Sequence, residues 1–487
     1  FIDGQWQGAH GTLLPVVNPA TEATIAQVCE SDGAQVAQAV AAALAAHQRG
    51  EWAHLPTARR QQVFRRIAEL TLAHIDELAW LETLNTGLSL RYVRHGQMPR
   101  VVRNFEFFAD WMSQNVEKAG IQDGAYLRYV VREPAGVAAL ISPWNAPLAL
   151  ASTKIAAALA FGNCCVIKTA ETTPLAVSRF MELLQQAGVP AGVANLVHGR
   201  GHVTGAALVR HPGVRVVSFT GGTETGRAIA TAAGPGLKRV DLELGGKSAN
   251  IVTASASLDA ALDGALAGIF TNNGQQCFAG SRILLQRSIA EGFIDAFVQR
   301  ARRIRVGDPL QADTDLGPLA NAAHHARVLA HIRQATSDGA QLLTGGGRPA
   351  HLPRGYYLEP TVLLAPHNRL PVCQQEIFGP VAAIQLFDDF EQALDIANDS
   401  DFGLVAYVWT QDLGQSLRAA QSLQAGVVLT NTNMTLDTRF PFGGYKQSGV
   451  GREGIDGMRH FYTEEKTVTV ALRPPHVERL GCQPGPA

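Results

Sequence analysis

Between residues 136 and 242, short apolar runs alternate with Ala-rich stretches of helical period; Gly136-Val137-Ala138-Ala139-Leu140-Ile141 and Cys164-Cys165-Val166-Ile167 are two such runs. This alternation limits the possible folds more than any other feature. Strands buried on both faces read as continuous apolar runs, and successive strands joined through a helix lie parallel. The pattern predicts an α/β fold with helices on both faces of a parallel sheet, an architecture that binds ligands at the carboxyl ends of its strands. After the Gly245-Gly246 break a second series begins, with predicted strands at Ala249-Asn250-Ile251-Val252, Ile283-Leu284-Leu285, Val381-Ala382-Ala383-Ile384 and Val427-Val428-Leu429. Two α/β domains are expected, since 487 residues exceed what one hydrophobic core usually supports.

Residues 34 to 86 carry apolar side chains at helical spacing and predict two or more amphipathic scaffold helices. Two segments, 126–132 and 465–470, alternate like exposed strands, and the Pro-rich tail from Arg473 to Ala487 reads as an arm or as disorder. Lys plus Arg at 41 nearly cancels Asp plus Glu at 42, which leaves no global field to draw nucleic acid or an anionic membrane. No run approaches the roughly 20 apolar residues of a membrane span. The six cysteines show no paired metal-ligand spacing, so no metal site is expected, and a reducing, cytoplasmic compartment fits them. The chain begins at Phe1 rather than at a methionine, which leaves a removed targeting segment open.

Two short runs carry chemistry. Asn272-Asn273-Gly274-Gln275-Gln276-Cys277 sets one cysteine among amides and a glycine, and Glu243-Leu244-Gly245-Gly246-Lys247-Ser248 places a carboxylate beside two glycines. A thiol attacks a carbonyl carbon, and a carboxylate activates water against the resulting thioester. Phe219-Thr220-Gly221-Gly222-Thr223 follows a predicted strand at 214–218 and opens a helix, so its amides suit a pyrophosphate. Gly199-Arg200-Gly201-His202-Val203-Thr204-Gly205 imitates a dinucleotide fingerprint with one residue too many.

These motifs resemble the aldehyde dehydrogenase superfamily, and the likeness runs from Asn18-Pro19-Ala20-Thr21 to Lys446-Gln447-Ser448-Gly449. The resemblance implies a Rossmann-like NAD-binding domain formed by residues 1–115 and 134–244. A catalytic domain would follow at 245–455, with bridging segments at 116–133 and 456–487 that assemble a homodimer or homotetramer. It implies Cys277 as nucleophile, Glu243 as general base, and Asn145 with the Cys277 amide as oxyanion donors. Lys154 and Glu453 would relay protons. Cofactor contacts would come from Ile141, Ser142, Pro143, Trp144, Lys168, Glu171, Thr220, Gly221, Gly222, Leu244, Glu376 and Phe378. Gly222 stands where the family usually has serine, which removes one hydroxyl contact. A carboxylate at Glu171 beside the ribose favours NAD over NADP.

By the same resemblance, Ala146, Leu150, Thr153, Thr271, Phe278, Met434 and Phe442 shape the aldehyde pocket. Small residues at Ala146, Thr153 and Thr271 predict a wide pocket for an aromatic or medium-length aldehyde. No charged anchor stands among these seven positions, which argues against betaine aldehyde or a dicarboxylic semialdehyde, although Arg103, Asp437 or Arg439 lie on segments able to contribute. Glu243 favours hydrolysis to the free acid over acyl transfer to coenzyme A. A thiol-dependent esterase and a non-catalytic binding protein on the same scaffold are the alternative readings.

Overall fold

The computed structural model describes residues 1–8, 11–433, 435, 437–474, 477 and 480–481. Two sheets dominate. The first has six strands in the spatial order Gly449–Val450, Arg239–Glu243, Val216–Thr220, Val137–Ile141, Cys164–Lys168 and Ala194–Val197. All are parallel except Gly449–Val450, which caps the edge beside Arg239–Glu243 in antiparallel pairing. The apolar run at 137–141 is buried along its whole length, as a strand covered on both faces must be. Chain order reverses at this strand: the next two strands lie on one side and the following two on the other. Such a switch point opens a crevice beyond the carboxyl ends, here past Ile141 and Thr220.

The second sheet has seven strands in the order Gln341–Thr344, Thr361–Leu364, Val381–Phe387, Arg282–Gln286, Ala249–Val252, Val405–Trp409 and Val427–Thr430. Only its edge strand Gln341–Thr344 runs antiparallel. The four strands expected from sequence are present, three of them slightly extended. Three more were hidden, because runs such as Val405–Trp409 follow turns too closely for period alone to separate them. The strand expected at 214–218 spans Val216–Thr220 instead, since Gly213 and His211 close a turn just before it.

Three helices fill 34–86: Gly33–Arg49, Thr57–Ala73 and Ile75–Thr86. The first opens on an Asp32 capping box and stops at left-handed Gly50, so local chemistry sets both of its ends. The helix Met98–Met112 follows and packs on the helix Pro147–Ala160. The two alternating segments pair with each other, Tyr126–Pro134 against Thr463–Ala471, and Ala119–Gln122 completes an antiparallel three-stranded sheet. Most of the tail from 473 lies outside the described residues. Among the described residues no helix is long and apolar enough to cross a membrane.

Candidate active site

The loop that carries the cysteine is built from an unusual backbone. Asn272, Asn273 and Gly274 are all left-handed, with φ of 57°, 57° and 68°. Such a run costs energy unless its surroundings hold it. Here the amides do so: Asn273 Nδ2 donates to the carbonyls of Gly87 and Pro318, and its Oδ1 accepts from Gly317 N. Asn272 Nδ2 donates to the carbonyls of Asn145 and Gln275, while Gln97 Nε2 donates 2.7 Å to Asn272 Oδ1. Asn145 Nδ2 donates 2.8 Å to Gln275 O, so the strand end that carries Asn145 is laced directly to the cysteine loop.

Glycine sets the next approach. A Cβ on Gly246 would lie 2.3 Å from the Cys277 carbonyl oxygen, and one on Gly245 would lie 2.4 Å from Glu376 Oε2. The Glu243-Leu244-Gly245-Gly246 segment therefore passes where only a bare backbone fits, and Gly246 N donates 3.0 Å to Glu376 Oε1. Glu243, Cys277 and Glu376, far apart in sequence, meet here.

Cys277 stands between two cavities. A cleft of about 730 Å³ opens at the switch point and is lined by Cys277 and Asn145 together with both strand-end loops. Of the residues assigned to the cofactor, Pro143, Trp144, Thr220, Gly221, Gly222, Leu244, Glu376 and Phe378 line this cleft. Ile141 and Ser142 are buried beside it, and Lys168 and Glu171 sit one strand over, 3.6 Å apart as an ion pair. The hydroxyls of Ser142 and Thr220 are buried without a partner among the described residues, which leaves polar groups for a ligand to satisfy. The other glycine run, Gly201–Gly205, forms a π-helical turn past the edge strand Ala194–Val197; it does not line the cleft, but Gly205 packs against the Lys168 side chain.

A second cavity of about 640 Å³ is lined by Gln276 and Phe278, the neighbours of the cysteine, and by Thr153, Thr271, Phe442 and Glu453. Leu150 faces the first cleft instead, Ala146 packs against the core beside it, and Met434 lies outside the described residues. Of the three charged residues named as able to contribute, Arg103 and Asp437 line this cavity. Arg100 and Arg103 line the cavity from the helix Met98–Met112, which the seven resemblance positions do not touch. Sequence reasoning also missed His324. Its ring is buried against Trp144 at 4.9 Å, and burial pushes its pKa down to about 4, so Nε2 donates as a neutral imidazole to Phe378 O.

Burial dominates the electrostatics. It pushes the Cys277 thiol up to about 12, reinforced by the carboxyls of Glu376 and Glu243, while the Arg100 guanidinium opposes the rise. Cys277 therefore rests as a thiol, and ionising it requires a base. Glu243 is raised well above the usual carboxylate range by burial and by Glu453 and Asp241, and neither of its oxygens has a partner among the described residues. Lys154 Nζ bridges Glu453 Oε1 at 3.0 Å and Ser218 Oγ at 2.9 Å, and Ser218 reaches Asp241, which burial lifts to about 7. Among the described residues no cluster could hold a metal ion.

A nucleotide-sized crevice at a doubly wound switch point, opening onto a half-buried cysteine and an unpartnered buried carboxylate, is the site of an α/β enzyme. The chain belongs to the aldehyde dehydrogenase family, whose sequence model matches residues 6–468. It is 45% identical to a 5-carboxymethyl-2-hydroxymuconate semialdehyde dehydrogenase of Escherichia coli, over 93% of this chain and 97% of that protein. It is 42% identical to a phenylacetaldehyde dehydrogenase of Pseudomonas fluorescens, over 97% and 95%. The NAD+ complex of an aldehyde dehydrogenase from Bacillus cereus superposes with a TM-score of 0.95 at 39% identity, covering 97% of this chain and 96% of that one.

Proposed function

We propose that this protein oxidises an aromatic or medium-length aldehyde to its carboxylic acid with NAD as acceptor, through a covalent adduct on Cys277. The observation that carries this reading is that Cys277 lines the crevice while its neighbours Gln276 and Phe278 line the second cavity, beside a buried carboxylate that no described residue satisfies. Residues 1–115 and 134–244 hold the cofactor, 245–455 supply the nucleophile, and 116–133 with 456–487 join subunits in a homodimer or homotetramer. The exposed edge strand Ala119–Gln122 supports the last point, because unpaired edges are usually covered. Cys164, Cys165, Cys277 and Cys373 form no disulfide, which suits a cytoplasmic setting.

The chain's residues fit a dinucleotide. The Gly221 and Gly222 amides at the start of the helix Thr223–Ala233 would hold the pyrophosphate, and Glu376 one ribose. Lys168 and Glu171 would hold the other, and the Glu171 carboxylate disfavours a 2′-phosphate. NAD, when bound there, supplies the acceptor for the hydride that leaves the aldehyde carbon. Every other role falls to side chains. Glu243, with its raised proton affinity, draws the proton from the Cys277 thiol, and sulfur attacks the carbonyl. The Cys277 amide and the second hydrogen of Asn145 Nδ2 stabilise the oxyanion. Once a thioester stands on Cys277, Glu243 activates the water that releases the acid. Lys154 and Glu453 pass the proton outward. Relatives named for a carboxymethyl-hydroxymuconate semialdehyde and for phenylacetaldehyde support a substrate larger than acetaldehyde.

The test is growth of reduced-nicotinamide absorbance with a panel of aldehydes, beside Cys277→Ala. Signal that vanishes in the variant is the expected result. No signal with any aldehyde, alongside cleavage of activated esters through Cys277, would replace the dehydrogenase with an esterase.

A further inference from the structure

Glu243 has to accept a proton twice in one turnover, first from the Cys277 thiol and then from water, so the first proton must leave before the second arrives. A second carboxyl stands ready to take it. Residues two apart on a strand share a face, and Asp241 and Glu243 both lie on the strand Arg239–Glu243, about 6.6 Å apart along it. Both are buried, and Asp241 Oδ1, like both oxygens of Glu243, has no partner among the described residues. One loop closes over the two. A Cβ on Gly443 would lie 2.7 Å from Glu243 Oε1 and 3.0 Å from Gly451 O, and one on Gly451 would lie 2.3 Å from Asp241 Oδ1. Both glycines have positive φ, 153° and 92°, so bare backbone covers each unpartnered oxygen where a side chain would block it.

The other titratable groups facing the pair are Lys154 from the helix Pro147–Ala160, Arg452 and Glu453 from the segment after Val450, and Tyr462 from the helix Ile455–Tyr462. Their bonds go elsewhere. Lys154 Nζ is paired with Glu453 at 3.0 Å, and Arg452 NH1 donates 2.6 Å to Gly451 O. Asp241 meets Lys154 only through Ser218, whose Oγ accepts from Lys154 Nζ at 2.9 Å and donates a long 3.5 Å bond to Asp241 Oδ2. Asp241 is thus the acid beside Glu243 to which no cation is bonded among the described residues. Two carboxyls that share one buried site resist ionising together, and the pair holds a proton between them.

We propose that Asp241 and Glu243 form a proton-sharing carboxyl pair, in which Asp241 takes over the proton that Glu243 draws from Cys277 and so returns Glu243 to its basic form before water is activated. This rests on the aldehyde-oxidising reading of the same site and supplies the step between its two halves. Asp241 touches no reacting atom; it is a positioning residue that acts through Glu243. The protons balance. That of the thiol goes to Glu243 and on, through one water, to Asp241, and that of the attacking water then goes to Glu243. As the carbon–sulfur bond of the thioester breaks, the Cys277 sulfur takes one proton back from Glu243, and the other leaves Asp241 past Gly451 toward exposed Val450.

Alkylation of Cys277 by iodoacetamide, followed by peptide mass, reads the pair with neither NAD nor aldehyde present. Its rate is expected to rise with pH along the limb on which Glu243 ionises. Asp241→Asn removes a neighbouring negative charge that raises the proton affinity of Glu243, so it is expected to move that limb down by roughly 1 to 2 pH units. Asp241→Ser, different in shape but equal in charge, is expected to move it equally. In rapid mixing with NAD and phenylacetaldehyde at a pH above the limb, Asp241→Asn is expected to form its first equivalent of reduced nicotinamide at the wild-type rate, while the steady rate afterwards falls about 10²-fold. Variants that leave the limb in place, or that lower the first turnover and the steady rate by the same factor, would show that Asp241 only packs the strand and would overturn the pair. If no aldehyde yields reduced nicotinamide yet both variants move the alkylation limb, the oxidation reading falls and the pair stands.

Discussion

Glu82 offers the sharpest physical test of how this site is held. Its side chain is 1% exposed, and Oε1 accepts from Leu148 N, one of the otherwise unpaired amides at the start of the helix Pro147–Ala160. That helix begins at Pro147, with Ala146 as the one residue between it and Asn145. The helix terminus favours an anion at this point, but burial wins and lifts the Glu82 carboxyl to about 8 against 4.5 in the open chain. The folded protein thus keeps a proton that the unfolded chain releases. Below pH 4.5 both states are protonated and there is no penalty; from there the stability contribution is lost at about 1.4 kcal/mol per pH unit until the loss is complete above about pH 8. Glutamine matches the protonated acid in shape, keeps the acceptor for Leu148 and offers an N–H in place of the O–H. Glu82→Gln is therefore expected to equal wild type near pH 4.5 and to exceed it by about 3 kcal/mol at pH 7. Urea unfolding at several pH values, read on the first transition, measures the difference. A variant less stable than wild type at pH 7, or a difference that does not change with pH, would show that Glu82 is ionised in the fold and would refute the reasoning.

Glu243→Gln should lower steady-state turnover about 10²- to 10⁴-fold, because it removes the base for both thiol and water. Its pH profile checks the assignment: the Cys277 thiol and the Glu243 carboxyl are both raised and both act deprotonated, so wild-type activity should climb as pH rises above neutrality. Loss of the Glu243 part of that acid limb in the variant is the expected signature. Gly245→Ala would place a methyl 2.4 Å from Glu376 Oε2 and displace the acceptor of Gly246 N, raising KM for NAD about tenfold. An unchanged KM would remove Glu376 from the cofactor site.

The strands at 137–141 and 249–252 were legible because strands buried on both faces carry uninterrupted apolar runs. Gly245, Gly246 and the amides before Cys277 were legible because close backbone approach and left-handed turns admit few residue types. Arg100 was not. On the helix Met98–Met112 it reads as one more polar position on an amphipathic scaffold, and only docking of that helix on Pro147–Ala160 turns it toward the cavity. His324 was hidden for the same reason, since its role depends on Trp144 and Phe378 arriving from other elements. The glycines at 199–205 point the other way: a plausible local motif follows the edge strand and packs beside Lys168, and strand order reveals that the switch point lies at other loops.

The left-handed run before Cys277 also bears on how the protein ages. An Asn-Gly pair is the sequence most prone to spontaneous deamidation, in which the following backbone nitrogen attacks the asparagine side chain to close a five-membered ring. Asn273-Gly274 is such a pair, but Gly87, Pro318 and Gly317 fix both ends of the Asn273 amide and hold it away from that geometry. Folding therefore acts as the preservative of this bond. Each excursion that releases the loop exposes it to a slow, irreversible conversion to aspartate or isoaspartate four residues from the cysteine, so the lifetime of the catalyst is set by how rarely this loop opens.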